Sequence, residues 1–60
     1  ARGAPDKPRV LNNLGAAYLD AQRWEDARIV LERAVEIDPG HDRATENLIR
    51  ARERGTPMAR

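Results

Sequence analysis

The side chains in this chain that could do chemistry are few, and their spacing narrows what they can do. His41 is the only histidine and sits in a turn between Asp38 and Asp42. An imidazole beside carboxylates is the raw material of acid–base catalysis or of a metal site. Here it has no second histidine, no cysteine and no partner at ligand spacing, so it reads as a solvated loop histidine. The chain also contains no serine, no phosphate-cradling glycine loop and no carboxylate pair at an evident cleft. No catalytic residue, metal ligand, cofactor or small-molecule substrate is therefore assigned, and an enzyme is not expected.

The positioning elements follow from periodicity and punctuation. Pro8 suits a first helical turn, where its missing N–H costs little. A first helix is expected over about 8–21, a second over 24–37 and a third over 42–54, with 1–7 and 55–60 as loose tails. Glu25 and Asp26 open the second helix, where the dipole favours carboxylates, and Asp38-Pro39-Gly40 ends it. Asp42 reads as the N-cap of the third helix, which Gly55 closes.

At 100° per residue, Val10, Leu11, Leu14, Ala17, Tyr18 and Ala21 share one broad face of the first helix. Arg9, Asn12, Asn13, Ala16 and Asp20 share the opposite one. In the second helix the apolar stripe is Ala27, Val30, Leu31, Ala34, Val35 and Ile37, with Ile29 stranded among acids. Gly15 lies mid-helix at a cost of about 1 kcal/mol relative to Ala. The expected compensation is close approach of the second helix. The fold class is all-α: an antiparallel helix-turn-helix unit plus a third helix.

The third helix repeats the first at an offset of 34, with Arg9, Val10, Asn13, Leu14 and Ala17 returning as Arg43, Ala44, Asn47, Leu48 and Ala51. Leu11, Gly15 and Tyr18 become Thr45, Ile49 and Arg52, so half of the apolar face is not kept. The third helix reads as a cap that ends a stack.

The spacing of Leu11, Leu14, Gly15, Tyr18, Ala27, Leu31, Ala34 and Pro39 resembles one unit of the tetratricopeptide repeat (TPR) family. The stretch LNNLGAAYLDAQRWEDARIVLERAVEIDPG carries it, over roughly residues 8–41, with a partial echo downstream. Leu11 stands where the family has Trp, and Leu31 where it has a later aromatic. Trp24 stands where the family usually has a large ring.

The resemblance implies an α-solenoid fragment of about one and a half repeats that acts as a protein–protein interaction scaffold. By family position, the groove that grips peptides would be lined by Arg9, Asn12, Asn13, Ala16, Asp20, Arg43, Glu46, Asn47 and Arg50. Asn13 and Asn47 can bond a peptide backbone, and Arg9 and Arg43 can hold a carboxylate bidentately. Glu46 and Arg50 could instead pair with each other at i,i+4. The TPR subset that clamps the acidic C-termini of heat-shock chaperones has Lys where this chain has Asn12, and Asn where it has Ala16. Asn47 alone fits, so that partner is not implied.

Composition bounds the remainder. The chain has 60 residues, 40% hydrophobic and 35% charged, which suits one small helical domain. With one Trp, one Tyr and no Phe, the core must be built from Leu, Val, Ile and Ala. No apolar run approaches the ~18 residues of a membrane span. The net charge of +1 and interleaved acids argue against nucleic acid, and the strip of Arg43, Arg50, Arg52 and Arg54 lacks aromatic stacking residues. The chain starts without Met and without a signal-peptide pattern, and reads as a piece of a longer protein. No cysteine reports on its compartment. The expected partner is a protein or peptide. The alternative is a homo-oligomer formed through the apolar edge Val10, Leu14 and Ala17.

Overall fold

The computed structural model describes residues 7–55. The tails expected over 1–7 and 55–60 therefore lie outside the described residues, except for Lys7 and Gly55. Helix α1 spans Pro8–Asp20, α2 Trp24–Ile37 and α3 Asp42–Gly55. Two short reversals make α1 and α2 an antiparallel hairpin and bring α3 back alongside both.

Backbone hydrogen bonding explains both reversals. After α1, the Arg23 N–H reaches the Tyr18 carbonyl at 2.8 Å and the Gln22 N–H reaches that of Leu19 at 3.0 Å. This paired return closes a helix around one left-handed residue. That residue is Gln22, at φ 61°, so α1 stops at Asp20 with Ala21 as its cap.

After α2, Asp38 Oδ1 accepts the Gly40 N–H at 3.2 Å, and the Asp38 carbonyl accepts the His41 N–H at 3.0 Å. The Thr45 N–H then bonds the His41 carbonyl at 3.1 Å, which makes His41 the N-cap of α3. Its Nδ1 accepts the Ala44 N–H at 3.2 Å, and the Thr45 hydroxyl donates to its carbonyl at 3.1 Å. The expected assignments are corrected: Asp42 is the first helical residue rather than the cap, and His41 is half-buried and bonded rather than solvated. The Pro39-Gly40 turn places His41, one residue earlier, where the first free N–H groups point. His41→Ala should cost about 1 kcal/mol, as loss of an N-cap does, in chemical denaturation. An unchanged midpoint would show that the imidazole caps nothing.

The core is Leu11, Ala27, Leu31, Ala34, Ala44, Leu48 and Ala51, with Tyr18, Leu19, Val30 and Val35 packed around it. Four of these seven buried residues are alanine, so the helices are held together by closeness rather than by large side chains. The tightest point is Gly15, where a Cβ would lie 2.5 Å from Leu31 Cγ and Cδ2. A second close approach is Gly55 at the end of α3, where a Cβ would lie 2.7 Å from Trp24 Cβ.

The broad apolar face expected on α1 is not buried as a whole. Leu11 and Gly15 are buried and Tyr18 half-buried, whereas Val10 is 44% exposed and Leu14 37%, with Ala17 and Ala21 exposed beside them. The reason is geometric. The α1 surface that meets α2 runs through Leu11, Gly15 and Tyr18, and the edge carrying Val10, Leu14 and Ala17 faces away. Ile37, expected in the buried stripe of α2, is also exposed, at the last turn of its helix.

Candidate functional site

The α1/α3 surface is organised by one side-chain hydrogen bond. Asn47 Nδ2 on α3 donates to Asn12 Oδ1 on α1 at 2.8 Å, across a separation of 35 residues. Asn12 is the only buried polar residue among those described, at 6% exposure, and no buried side-chain polar atom lacks a partner. A buried amide costs stability unless it is bonded. The pair is therefore satisfied chiefly in the register that sets Asn12 opposite Asn47, and it fixes how α3 lies on α1.

This changes the role assigned to Asn12. It was placed on the solvated face with Arg9 and Asn13, but it is buried between the helices and bonded to Asn47, so it is a floor residue rather than a free arm. Its polar type and its helical angle, shared with Arg9 and Asp20, concealed this, because only the arrival of α3 with Asn47 covers that side of α1. The other candidates remain accessible. Arg9, Asn13, Ala16 and Asp20 on α1 are exposed, as are Arg43, Glu46 and Arg50 on α3, and Asn47 is half-buried. No ion pair joins Glu46 to Arg50 at their i,i+4 spacing.

The surface of α2 differs in character. Arg23 pairs with Asp26 at 2.7 Å, Arg33 with Glu36 at 3.2 Å, and Arg28 with Glu25 and, at 3.0 Å, with Glu32. The hydrogen bond to Glu25, then that to Glu32, holds the Arg28 guanidinium above its ordinary pKa. Arg52 of α3 reaches Glu32 at 3.5 Å. Exposed pairs like these are each worth roughly 0–1 kcal/mol, and they leave α2 with its charges already matched. Rings also hold cations: Arg23, already paired with Asp26, lies 5.6 Å from the Tyr18 centroid, and Arg54 lies 5.9 Å from that of Trp24.

A shallow groove of about 440 Å³ runs between α2 and α3, with Leu48 on its floor and Ile29 and Arg52 on its walls. Among the described residues, no three His, Cys, Asp or Glu side chains gather as metal ligands would. No helix there is long and apolar enough to cross a membrane.

The sequence model of the tetratricopeptide repeat matches residues 8–41. The chain belongs to the tetratricopeptide repeat family. The matched stretch covers α1, α2 and the turn after them, and α3 stands as the first helix of a second, incomplete unit. TPR units are non-catalytic scaffolds that mediate protein–protein interactions. No curated protein and no solved structure matches the chain.

The TPR register explains how the core divides. Ala44, Leu48 and Ala51 are 0%, 8% and 1% exposed, because the equivalent positions of a following unit seat it on the preceding one. Their counterparts in α1 are Val10, Leu14 and Ala17, which have nothing before them among the described residues. On the opposite side of α3, Ile49 is 50% exposed where α1 has the buried Gly15.

Proposed function

We propose that this TPR protein is an interaction module that binds a peptide or protein segment along the α1/α3 face. The observation that supports the reading most directly is the Asn12–Asn47 bond, which ties the two helices side by side at the middle of that face. Around it stand exposed groups with donors, acceptors and charge: Arg9, Asn13 and Asp20 on one helix, Arg43, Glu46 and Arg50 on the other. Ala16 keeps the space between them open. A segment lying there needs no rearrangement of the core, so no core reorganisation is added to the ordinary costs of association.

The test is amide chemical-shift mapping with peptides selected from a random display library against the full chain. Shifts should cluster at Arg9, Asn13, Ala16, Arg43, Asn47 and Arg50. Clustering at Ile29, Val35 and Arg52 instead would move the site to the α2/α3 groove and sink the reading.

A second reading is self-association. It is favoured by the stripe Val10, Leu14 and Ala17, spaced i, i+4, i+7 and exposed along α1. The same face of α3 is buried, so it is a surface of the kind that packs against helices. Two copies can bring these stripes together about a two-fold axis, or exchange a helix. Sedimentation equilibrium at rising concentration should show a dimer that Val10→Glu or Ala17→Glu shifts to monomer. A wild-type chain that stays monomeric at high micromolar concentration rules it out.

A further inference from the structure

We propose that His41 ties the seat of α3 to pH: its neutral imidazole caps the helix, and taking up a proton loosens the first turn. The inference needs no ligand and rests on the bond at the start of α3. His41 Nδ1 accepts the Ala44 N–H at 3.2 Å. An imidazole nitrogen accepts only through its lone pair, and protonation turns both ring nitrogens into donors. The protonated ring then sets a donor against a donor.

Two further features raise the cost of that step. Ala44 is fully buried, so its N–H is closed to water once the imidazole lets go. A buried donor without a partner costs more than a typical hydrogen bond contributes. The new charge also lies at the positive end of the helix dipole, where cations are disfavoured. The His41 carbonyl keeps the Thr45 N–H at 3.1 Å and the Thr45 hydroxyl at 3.1 Å. Acid therefore loosens the turn rather than unwinding the helix.

The charges around the cap do not offset this. At this end of the bundle stand Lys7 and Arg9 where α1 starts, Glu36 and Asp38 where α2 ends, and Asp42 and Arg43 on α3; all are exposed. The acids and the bases among them are equal in number. No ion pair joins His41 to any of the acids. Asp38 Oδ1 is taken by the Gly40 N–H at 3.2 Å. Exposed charges that make no close pair act weakly through solvent and are screened by salt.

Histidine is the side chain whose charge ordinarily changes between about pH 5 and about pH 8. His41 is the only histidine and the chain has no cysteine, so no other side-chain type present ordinarily titrates there. The ring is half-buried, within reach of protons from solvent. The unfolded chain has no cap to lose and takes up the proton at less cost, so stability falls as the pH falls. What loosens is the ground of the α1/α3 face. Ala44 seats α3 in the core with Leu48 and Ala51, and Asn47, the next turn along, carries the bond to Asn12. The face is set firmly at neutral pH and slackens in mild acid.

Urea denaturation of the full chain at about pH 7.5 and about pH 5.5 tests this against His41→Asn, since asparagine caps helices and does not titrate. On acidification the folded-to-unfolded ratio of the wild type should fall about threefold or more, and that of His41→Asn should change by less than about 1.5-fold. The α-amino group, which titrates in the same window, is common to both. Amide hydrogen exchange places the effect: the Ala44 rate relative to that of Leu31 should rise in acid for the wild type and stay level in His41→Asn.

A wild type whose stability holds or rises in acid overturns the proposal. So does a fall of equal size in His41→Asn. A fall in which the wild-type Ala44-to-Leu31 ratio does not change overturns it as well, because the proton then acts away from the cap.

Discussion

Gly15→Leu is expected to destabilise the protein by about 1–3 kcal/mol, although any residue but proline is a better helix former than glycine there. Helix propensity alone argues for a gain of up to about 1 kcal/mol on leaving glycine. Packing argues the other way, and the geometry decides the sign. The first carbon added would lie 2.5 Å from both Leu31 Cγ and Cδ2. Leu31 is fully buried, so its side chain has no solvent to swing into, and the α1/α2 hairpin must open instead. Urea denaturation measures the outcome. A net gain would mean that Gly15 does not touch α2. The pairing can be isolated by a double-mutant cycle: Gly15→Ala should hurt wild type but hurt the Leu31→Ala background much less, because the atoms it strikes are gone.

Leu48→Lys should remove most or all of the folded population, whereas Ile49→Lys should change stability by no more than about 0.5 kcal/mol. These neighbours differ by one residue and about 100° of helix. Leu48 is 8% exposed in the core with Ala44 and Ala51, and Ile49 is 50% exposed. Emptying a buried leucine site costs about 2–5 kcal/mol, and an unpaired ammonium there adds to it. A core this small supplies only about 3–5 kcal/mol in total. Ile49 gives up little on becoming Lys, since half of it already meets water. Thermal unfolding followed by circular dichroism compares the two. Equal damage would show that α3 packs on both sides and is no terminal cap.

How much of this was legible before folding depends on the range of each interaction. The all-α class and TPR membership were readable because they rest on local signals: 3.6-residue periodicity, Pro8 at a helix start, Pro39-Gly40 at a stop, and the spacing of Leu11, Gly15, Tyr18, Ala27 and Ala34. Gly15 was readable for the same reason, since a glycine inside an apolar helical face is explained only by close approach. The 34-residue echo also foretold which side of α3 would be buried, because equivalent positions in stacked units meet equivalent neighbours.

Tertiary structure alone decided three other points. Helical angle cannot tell an apolar face that meets a helix from one that meets nothing, so Val10, Leu14 and Ala17 were grouped with Leu11 and Tyr18 until packing separated them. His41 became a cap because the turn before it set its backbone one residue ahead of Asp42. Asn12 is the clearest case. Its type and angle made it a solvent-facing polar residue, and only the arrival of α3, carrying Asn47 to within 2.8 Å, made its burial affordable. A polar group's position in a core depends on a partner 35 residues away, and local pattern carries no information about that partner.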